Sequence, residues 1–442
     1  MIEKVLKTMQ SRGMLPVGSV LVGLSGGADS AALLHILCQL SKSLGFTVYA
    51  AHVNHGLRGT AADADERFSE ALCKQLGVEF YVLRADVKGE AKKRGMSEEL
   101  AGRCVRYEFF DKLAAENNID RIATAHHKND NAETILMNFV RGTGIKGLCG
   151  IPYTRGNIIR PLLDSTRSEI ERYCGENGIE YVTDLTNLDT VYTRNKARHI
   201  LIPEIEREFN PAFVDTITHN AQLLMVEEDY MSSETERAYT DTVSDGAADV
   251  EKLCKLHPAI ALRVIRKMTD AVCGKEDISA AVMRAVLELA KKNRTGARLD
   301  VARGAYAVIE YGRLIIEADN DTCGDFEYEL IPGESVYIPE AGYTVKAERT
   351  NEFKRGEGEF FTVPEGARLV VRNRRSGDAF IPWGMQGTKK VKDYMIDAKI
   401  PRRRRDRVGI LTVDGEIAWI IGHRRASMFK FNKNGIKISI LY

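Results

Sequence analysis

Short apolar segments alternate with longer helical patterns between Gly18 and about Tyr192. The apolar segments predict strands that are buried on both faces, and the segments between them predict helices. The predicted strands are Ser19–Leu24, Thr47–His52, Glu79–Leu83 and Arg121–Ala125. The predicted helices are Met1–Gln10, Ser30–Leu44, Ala64–Leu76, Ser97–Asn117 and Ala132–Arg141. Strands that alternate with helices indicate a parallel sheet covered by helices, so we predict an α/β domain over residues 1–208.

The pattern changes after Phe209, where an Asn-Pro pair interrupts the chain. Residues 209–362 are predicted to form a mainly helical middle domain that ends in strand hairpins. Its predicted helices are Phe213–Tyr239, Ala261–Ala271 and Ile278–Lys292, its hairpins are Leu299–Ala318 and Glu327–Ala347, and its predicted acidic loop is Thr240–Asp249. A second change near Val363 begins a small α+β domain over residues 363–442, which starts with a predicted strand at Arg368–Asn373.

The composition is that of a globular protein, because 44% of the 442 residues are apolar and 28% are charged. No apolar run reaches the roughly 18 residues that a membrane span needs, and no secretion signal opens the chain. The eight cysteines include no CxxC pair, so zinc ribbons, redox pairs and closely spaced iron–sulfur ligands lack support. We therefore expect a cytoplasmic protein with reduced cysteines and no membrane contact.

Positive charge is concentrated at the C-terminal end of the sequence. Residues 368–442 hold 18 Lys and Arg against 6 Asp and Glu, whereas the residues before them hold 45 against 56. A basic module on an acidic body favours a polyanion partner, most often a nucleic acid. The candidate contacts are Lys389, Lys390, Arg402, Arg403, Arg404 and Arg405. A solvated basic face is the alternative that charge alone leaves open.

A glycine-rich segment, Ser25-Gly26-Gly27-Ala28-Asp29-Ser30, follows the first predicted strand and opens a helix. Adjacent glycines let the backbone approach a ligand closely, and the following helix N-terminus attracts anions. The two serines add hydroxyl groups, and Asp29 adds a carboxylate that could hold Mg²⁺ over phosphates. The segment is not a Walker A loop. An ordinary turn in which Asp29 or Ser30 caps the helix is the alternative.

Three further segments carry candidate site residues. His126, Asp130 and Glu133 follow the fourth predicted strand, at an edge where open α/β sheets bind ligands, although Asp130 and Glu133 could also form a helix cap. Glu99, Arg103 and Arg106 share one helical face. Glu99 can form an ion pair with one arginine, which leaves the other arginine free to bind a phosphate. A surface ion pair without a binding role is the alternative. His52 and His55 are a candidate metal pair or part of a metal-free loop. A GxGxxG match at 142–147 follows a helix, so it fails as a dinucleotide fingerprint.

Taken together, these motifs resemble the PP-loop ATP pyrophosphatases through SGGADS. The ordered set SGGADS, HVNHGLR, ExAxRxxRY, TAHHxxD–AET, RGTGxxG, RPLL and RNKAR is similar to one branch of them, the tRNA(Ile)-lysidine synthetases. The resemblance implies a parallel-sheet PP-loop domain that uses ATP and Mg²⁺. It also implies that free L-lysine is ligated to the wobble cytidine of the CAU-anticodon tRNA(Ile) through an adenylated cytidine, which yields lysidine, AMP and pyrophosphate. A homodimer stays an open alternative.

The resemblance also implies roles for individual residues. It makes Ser25–Ser30 the ATP cradle, Asp29 and Asp130 metal or nucleotide carboxylates, and Glu133 a residue that assists lysine or metal. Arg106 and His126 are expected to contact the nucleotide or the adenylate. The sequence departs from the family pattern at Asn129 and Asn131, where Asp and Gln are expected.

Three rival functions are weaker. A PP-loop enzyme that acts on a small acid would not need the basic C-terminal module. A thiolating tRNA enzyme is disfavoured by the lack of paired cysteines. An RNA-binding protein with a vestigial nucleotide loop is disfavoured by the intact SGGADS segment.

Overall fold

The computed structural model describes residues 1–56, 60–182, 193–274, 278–318, 323–352, 358–400, 402–431 and 435–441. Contacts within the chain divide it into two compact units, Met1–Tyr230 and Met231–Tyr442, and each unit is described by itself. In the described part of the chain, no helix is long and apolar enough to cross a membrane.

The first unit contains a six-stranded sheet in the order β3-β2-β1-β4-β6-β5. Its strands are β1 (Ser19–Gly23), β2 (Thr47–Asn54), β3 (Glu79–Arg84), β4 (Arg121–Ala123), β5 (Thr154–Arg155) and β6 (Ile158–Ile159). All neighbouring strands are parallel except the β5–β6 hairpin. The predicted parallel α/β fold is therefore confirmed, with the expected strands and one added hairpin.

Eleven helices begin in the described part of this unit, and a π-helical turn, Ala197–Leu201, joins two of them. They are α1 (Ile2–Ser11), α2 (Ala28–Leu44), α3 (Thr60–Leu76), α4 (Val87–Arg94), α5 (Glu98–Glu116), α6 (Lys128–Arg141), α7 (Ile145–Leu148), α8 (Arg167–Glu176), α9 (Thr193–Lys196), α10 (Ile202–Glu208) and α11 (Phe213–Thr242). The helix α11 continues into the second unit.

Strand β1 lies at the centre of the sheet, and it is buried on both faces as its apolar sequence predicts. Val20 and Val22 pack into a core that includes α1, α2 and α8, whereas Leu21 packs on the other face with α5. The chain leaves β1 toward β2 on one side and reaches β4 on the other side. This reversal creates a crevice at the carboxyl ends of β1 and β4, where open α/β sheets bind ligands.

The second unit begins with a five-stranded antiparallel sheet, in the order β7-β8-β11-β10-β9, and three helices. These elements are β7 (Val243–Ser244), β8 (Ala247–Asp249), α12 (Val250–Lys255), α13 (Pro258–Cys273), α14 (Ala280–Lys292), β9 (Arg298–Ala302), β10 (Ala305–Glu310) and β11 (Arg313–Ala318). The prediction of an acidic loop over Thr240–Asp249 is wrong. Asp245 and Gly246 both have positive φ values, 50° and 72°, and so form the tight turn of the β7–β8 hairpin.

Two four-stranded sheets and one two-stranded sheet complete the second unit. Their strands, with two short helices, are β12 (Glu327–Glu329), β13 (Ser335–Ile338), β14 (Tyr343–Thr350), β15 (Glu359–Phe361), β16 (Leu369–Arg372), β17 (Ala379–Phe380), β18 (Lys389–Lys390), α15 (Val391–Asp397), α16 (Arg402–Arg405), β19 (Ile410–Val413), β20 (Glu416–Ile420) and β21 (Gly435–Leu441). Strand β12 pairs with β16, and both β14 and β15 pair with β21. These sheets therefore begin ahead of the predicted domain boundary at residue 363, and the three-domain division stays a prediction.

Candidate active site

The glycine loop joins β1 to α2 and is held by its own serines. Gly26 has a φ of 84°, which a residue with a side chain rarely adopts. The buried Ser30 hydroxyl donates to the Gly27 carbonyl (3.0 Å) and accepts from the Ser25 N–H (3.1 Å). Helix α2 begins after Gly27, and no side chain caps its N-terminus. The alternative in which Asp29 or Ser30 caps the helix is therefore wrong, and the first turn keeps its N–H groups for an anion.

Asp29 lies in the first turn of α2 and has two different oxygen environments. Its Oδ2 accepts from the Arg167 Nη1 at 2.5 Å. Its Oδ1 is buried and has no hydrogen-bond partner in the described part of the chain, and the His127 Nε2 lies 3.8 Å away. Burial raises the pKa of Asp29, and the charges of His127 and Arg167 only partly oppose this effect. A buried carboxylate oxygen without a partner has lost its hydration, and either a bound cation or a proton would compensate for that loss.

Asp130 combines helix capping with ion pairing. It accepts from the His127 N–H (3.1 Å) and its own N–H donates to the His127 Nδ1 (3.4 Å), so the two residues form a capping box at the start of α6. Its other oxygen accepts from Arg194 (3.2 Å) and Arg198 (2.9 Å). Burial opposes ionisation, but the charges of His127 and Arg194 outweigh it, and the pKa of Asp130 is lowered. The alternative in which Asp130 and Glu133 form the helix cap is therefore wrong, because His127 is the N-cap and Asp130 is the third residue of the helix. Asp130 still contributes to the cap that His127 forms, which does not exclude a second role.

Glu133 is enclosed by the same two arginines. Its carboxylate is 1% exposed, and it accepts from the Arg194 Nε (2.8 Å) and from the Arg198 Nε (2.5 Å). Asp130 and Glu133 lie three residues apart on α6, and so they share one face of that helix. Arg194 and Arg198 lie four residues apart, and so they also share one face, which points toward the two carboxylates. The RNKAR motif thus supplies the counter-ions of Asp130 and Glu133, a role that the motif alone did not indicate.

His126 and Arg106 also belong to the first unit. Burial lowers the pKa of His126 to about 4, so its ring is neutral at pH 7, and its Nδ1 lies 3.0 Å from the Thr124 hydroxyl. The Arg106 Nη2 lies 3.3 Å from the His55 Nε2. The expected ion pair of an arginine with Glu99 does not occur among the described residues.

The predicted histidine metal pair is engaged in other contacts. The His52 Nδ1 lies 2.9 Å from the Leu24 carbonyl oxygen, and His55 contacts Arg106. Among the residues that the structure describes, no group of three or more His, Cys, Asp or Glu side chains is arranged to hold a metal ion. These contacts favour the metal-free alternative for the two histidines. Arg58, which belongs to the same motif, lies outside the described residues.

The two departures from the family pattern have structural roles. The Asn129 Oδ1 accepts from the backbone N–H of Arg167 (3.0 Å), at the start of α8. The buried Asn131 accepts from the Ile151 N–H (2.7 Å), and a Cβ at Gly150 would lie 2.2 Å from the same Asn131 oxygen. Both asparagines therefore join α6 to neighbouring segments without needing a charge. Asn129 in particular holds the residue whose guanidinium binds Asp29.

Arg167 is the main site residue that sequence reasoning missed. It lies 138 positions from Asp29 along the chain and contacts both Asp29 and Glu171. A helix start was readable there from Thr166 and Glu169, which form a capping box. That signal predicts a helix but not the partner of its first side chain.

The predicted nucleic-acid contacts lie in the second unit, and they differ in exposure and in their contacts with the protein. Lys390 and Arg404 are exposed. Lys389 forms an ion pair with Asp397, and Arg405 donates to the Ile400 carbonyl (2.9 Å) and to the Tyr311 hydroxyl (3.0 Å). The side chains of Arg402 and Arg403 lie outside the part of the chain that the structure describes.

The fold and the glycine loop define a PP-loop nucleotide-binding protein, and a family profile described as "PP-loop domain" matches residues 1–205. This domain makes the protein one that uses ATP. A second profile, described as "TilS substrate C-terminal domain", matches residues 369–441.

The chain belongs to the tRNA(Ile)-lysidine synthase family. It is 37% identical to the tRNA(Ile)-lysidine synthase of Caldanaerobacter subterraneus subsp. tengcongensis, over 100% of this chain and 97% of that protein. It is 38% identical to the tRNA(Ile)-lysidine synthase of Clostridium tetani, over 98% of this chain and 96% of that protein. The resemblance expected from the motifs is therefore confirmed over the whole length of the chain.

Proposed function

We propose that this protein joins free L-lysine to the wobble cytidine of the CAU-anticodon tRNA(Ile), with ATP as the activating substrate and AMP and pyrophosphate as products. The observation that carries the proposal is the uncapped N-terminus of α2 beside the unpartnered Asp29 oxygen, in a chain similar over its full length to tRNA(Ile)-lysidine synthases.

The chemistry explains why these residues are needed. A cytosine carbonyl oxygen is a poor leaving group, so AMP is first transferred to it and pyrophosphate is released. The lysine ε-amine then attacks the activated ring carbon, and AMP leaves with the oxygen. The N-terminus of α2 binds the phosphates through its N–H groups. His126, which is neutral because burial lowers its pKa to about 4, can donate or accept a hydrogen bond at the adenylate without adding charge.

Asp29 fits a magnesium ligand better than Asp130 does. The Asp29 Oδ1 is buried and without a hydrogen-bond partner among the described residues, which is the state expected of an oxygen that a cation completes. Both oxygens of Asp130 already accept hydrogen bonds. When bound, Mg²⁺ would neutralise phosphate charge. We propose that Asp29 holds it, and that Asp130 and Glu133 act mainly by fixing Arg194 and Arg198 beside the substrate.

A direct test is incubation of the protein with ATP, radiolabelled lysine and total tRNA. Label in RNA that requires ATP supports the proposal. Label in a small molecule would favour an enzyme that acts on a small acid, and tRNA binding without incorporation would favour a vestigial nucleotide loop.

Replacing Arg167 should weaken the metal site, because its guanidinium fixes the orientation of Asp29. We expect Arg167→Met to lower lysine incorporation and Mn²⁺ affinity about 10- to 100-fold, the effect of losing a residue that orients a metal ligand. Arg167→Lys should recover part of both. The measurement is Mn²⁺ binding by electron paramagnetic resonance in the presence of an ATP analogue, together with activity. Unchanged Mn²⁺ affinity in the Met variant would show that Arg167 does not position Asp29.

The basic module is proposed to bind the tRNA backbone. Each lost phosphate contact should lower the slope of log affinity against log salt by roughly 0.7–0.9. We expect alanine at Arg402–Arg405 to weaken tRNA binding and flatten this slope, with ATP binding in the absence of tRNA unaffected. Arg404→Ala alone should reproduce part of this effect, whereas Arg405→Ala should mainly lower stability, because Arg405 binds Ile400 and Tyr311. Filter binding at several salt concentrations measures the slope. A parental slope in the fourfold variant would mean that this segment is a solvated face.

A further inference from the structure

Four arginines surround or adjoin the ring of Tyr107 in the first unit. The guanidinium carbons of Arg103 and Arg155 lie 5.0 and 5.3 Å from the ring centroid. Arg160 lies close enough to Tyr107 to interact with it electrostatically, and Arg106 precedes Tyr107 on α5. We call the four arginines and Tyr107 the Tyr107 cluster.

Within the described part of the chain, the arginines of the cluster have no carboxylate counter-ion at ion-pair distance. No ion pair in the described ranges joins any of its four arginines to a carboxylate, although Glu99 lies one turn before Arg103 on the same helix. Other arginines of the same unit, such as Arg84, Arg167 and Arg198, each bind a carboxylate. Four guanidinium groups close together repel one another unless an anion or solvent screens them.

Arg160 is the buried arginine of the Tyr107 cluster. This residue is 2% exposed, its Nη1 donates to the Pro152 carbonyl (2.6 Å), and its Nε is buried with no hydrogen-bond partner among the described residues. Burial lowers the pKa of Arg160, and so do the charges of Arg155 and Arg103. A buried, uncompensated guanidinium is costly to stability, and such a cost is retained where function needs it.

The cluster adjoins the proposed reaction site. Arg160 and Arg103 lie close enough to His126 for their positive charges to act on its ring. Arg106, the fourth arginine of the cluster, is itself an expected nucleotide contact. Arg103 and Arg155 are exposed. A ligand bound here would therefore be an anion that reaches from the nucleotide contacts of His126 across the surface of α5.

We infer that the Tyr107 cluster binds the phosphodiester backbone of the RNA substrate next to the reacting nucleotide. The inference rests on the proposed function for its substrate. A guanidinium group can bind a phosphate through two parallel hydrogen bonds. A single-stranded RNA loop exposes successive phosphates to such a surface. The phosphates of ATP are the other source of the same chemistry, but the uncapped α2 N-terminus already provides a place for them.

The test uses the full chain with Arg103→Gln and Arg155→Gln combined, which leaves Arg106 and His126 intact. At about 0.7 per single-strand contact, the salt slope for tRNA should fall by about 1.4. The ratio of the parent's affinity to the variant's affinity should therefore be about sevenfold larger at one salt concentration than at a concentration four times higher. The double Lys variant keeps the charge and should recover most of the slope. Affinity for a non-hydrolysable ATP analogue without RNA should equal that of the parent.

Arg172→Gln is the control for charge loss elsewhere on the unit. Arg172 is an exposed arginine on α8, which covers the opposite face of the sheet, so its loss removes one positive charge away from the cluster, whereas the double variant removes two within it. A parental slope and affinity in the Gln double variant would overturn the inference, as would a loss of ATP-analogue binding in that variant. Failure of the proposed function looks different, because the parent would then bind tRNA without incorporating lysine.

Discussion

Asp29→Asn should abolish most of the ATP-dependent AMP transfer while leaving the protein folded. The substitution preserves size but removes the charge at the oxygen that lacks a hydrogen-bond partner. We expect AMP transfer to fall about 100-fold or more, as when other electrostatic groups of an active site are lost, with little change in tRNA affinity. Because burial raises the pKa of Asp29, its charge is maintained at a cost, so the melting temperature should stay the same or rise.

Asp120→Asn is the matched control for this experiment. The Asp120 carboxylate accepts from the Gly18 N–H (2.7 Å) and the Ser19 N–H (3.1 Å), at the amino end of the same strand that carries the glycine loop at its carboxyl end. We expect this variant to retain AMP transfer. Parental AMP transfer in Asp29→Asn would refute the metal role of Asp29.

Asp130→Asn should lower both activity and stability. The pKa of Asp130 is lowered by its charged neighbours, so its ionised form stabilises the folded state. This stabilisation of the folded state is fully present at pH values above the pKa of aspartate in the unfolded chain. It is lost as the pH falls through the lower pKa that Asp130 has in the folded protein. An asparagine could keep the capping contact with His127 but not the charge that binds Arg194 and Arg198. We expect a loss of about 1.5–3 kcal/mol, typical of hydrogen bonds to charged groups, and a collapse of lysine incorporation.

Asp378→Asn separates the two effects, because Asp378 forms a similarly buried pair with Arg372 in the second unit, and its pKa is also lowered. It should lose comparable stability and retain AMP transfer at saturating tRNA. Urea unfolding and activity at a temperature where all variants are folded provide the measurement. If Asp130→Asn is fully active when folded, capping is its whole role.

Much of the fold follows from local patterns in the sequence. Strands β1, β2 and β4 were predictable because they are largely buried and read as continuous apolar runs. Strand β3 was also predicted, but the expectation that it is buried on both faces is wrong, because it lies at the edge of the sheet and is partly exposed. Helix α4 was missed, although Asp86 caps its start and Gly95 ends it in a left-handed conformation. Its mean composition is strongly polar, and only the caps indicate it. The acidic segment at 240–249 was misread because its charges suggested a loop, whereas the Asp245-Gly246 pair is a hairpin signal.

Sequence motifs predicted only part of the candidate site. The glycine loop and the segment after β4 were found because each follows a strand directly. The pairings of Asp29 with Arg167 and of Glu133 with Arg194 and Arg198 join positions between 61 and 138 residues apart. No local pattern contains such information, because it depends on how α8 and the π-helical turn pack against the sheet.

Strand β21 lies between β14 and β15 in its sheet, and it is the final strand along the described chain. On the ribosome, the two neighbours therefore leave the exit tunnel before the strand that separates them. Until β21 arrives, β14 and β15 each present an unpaired edge that other chains could extend. Strands β14 and β15 are therefore expected to need protection during synthesis, and a nascent chain stalled before Gly435 is expected to be a substrate for chaperones. The Lys346 and Arg349 side chains on β14 place charges along this temporarily open edge, which is a common defence against intermolecular pairing.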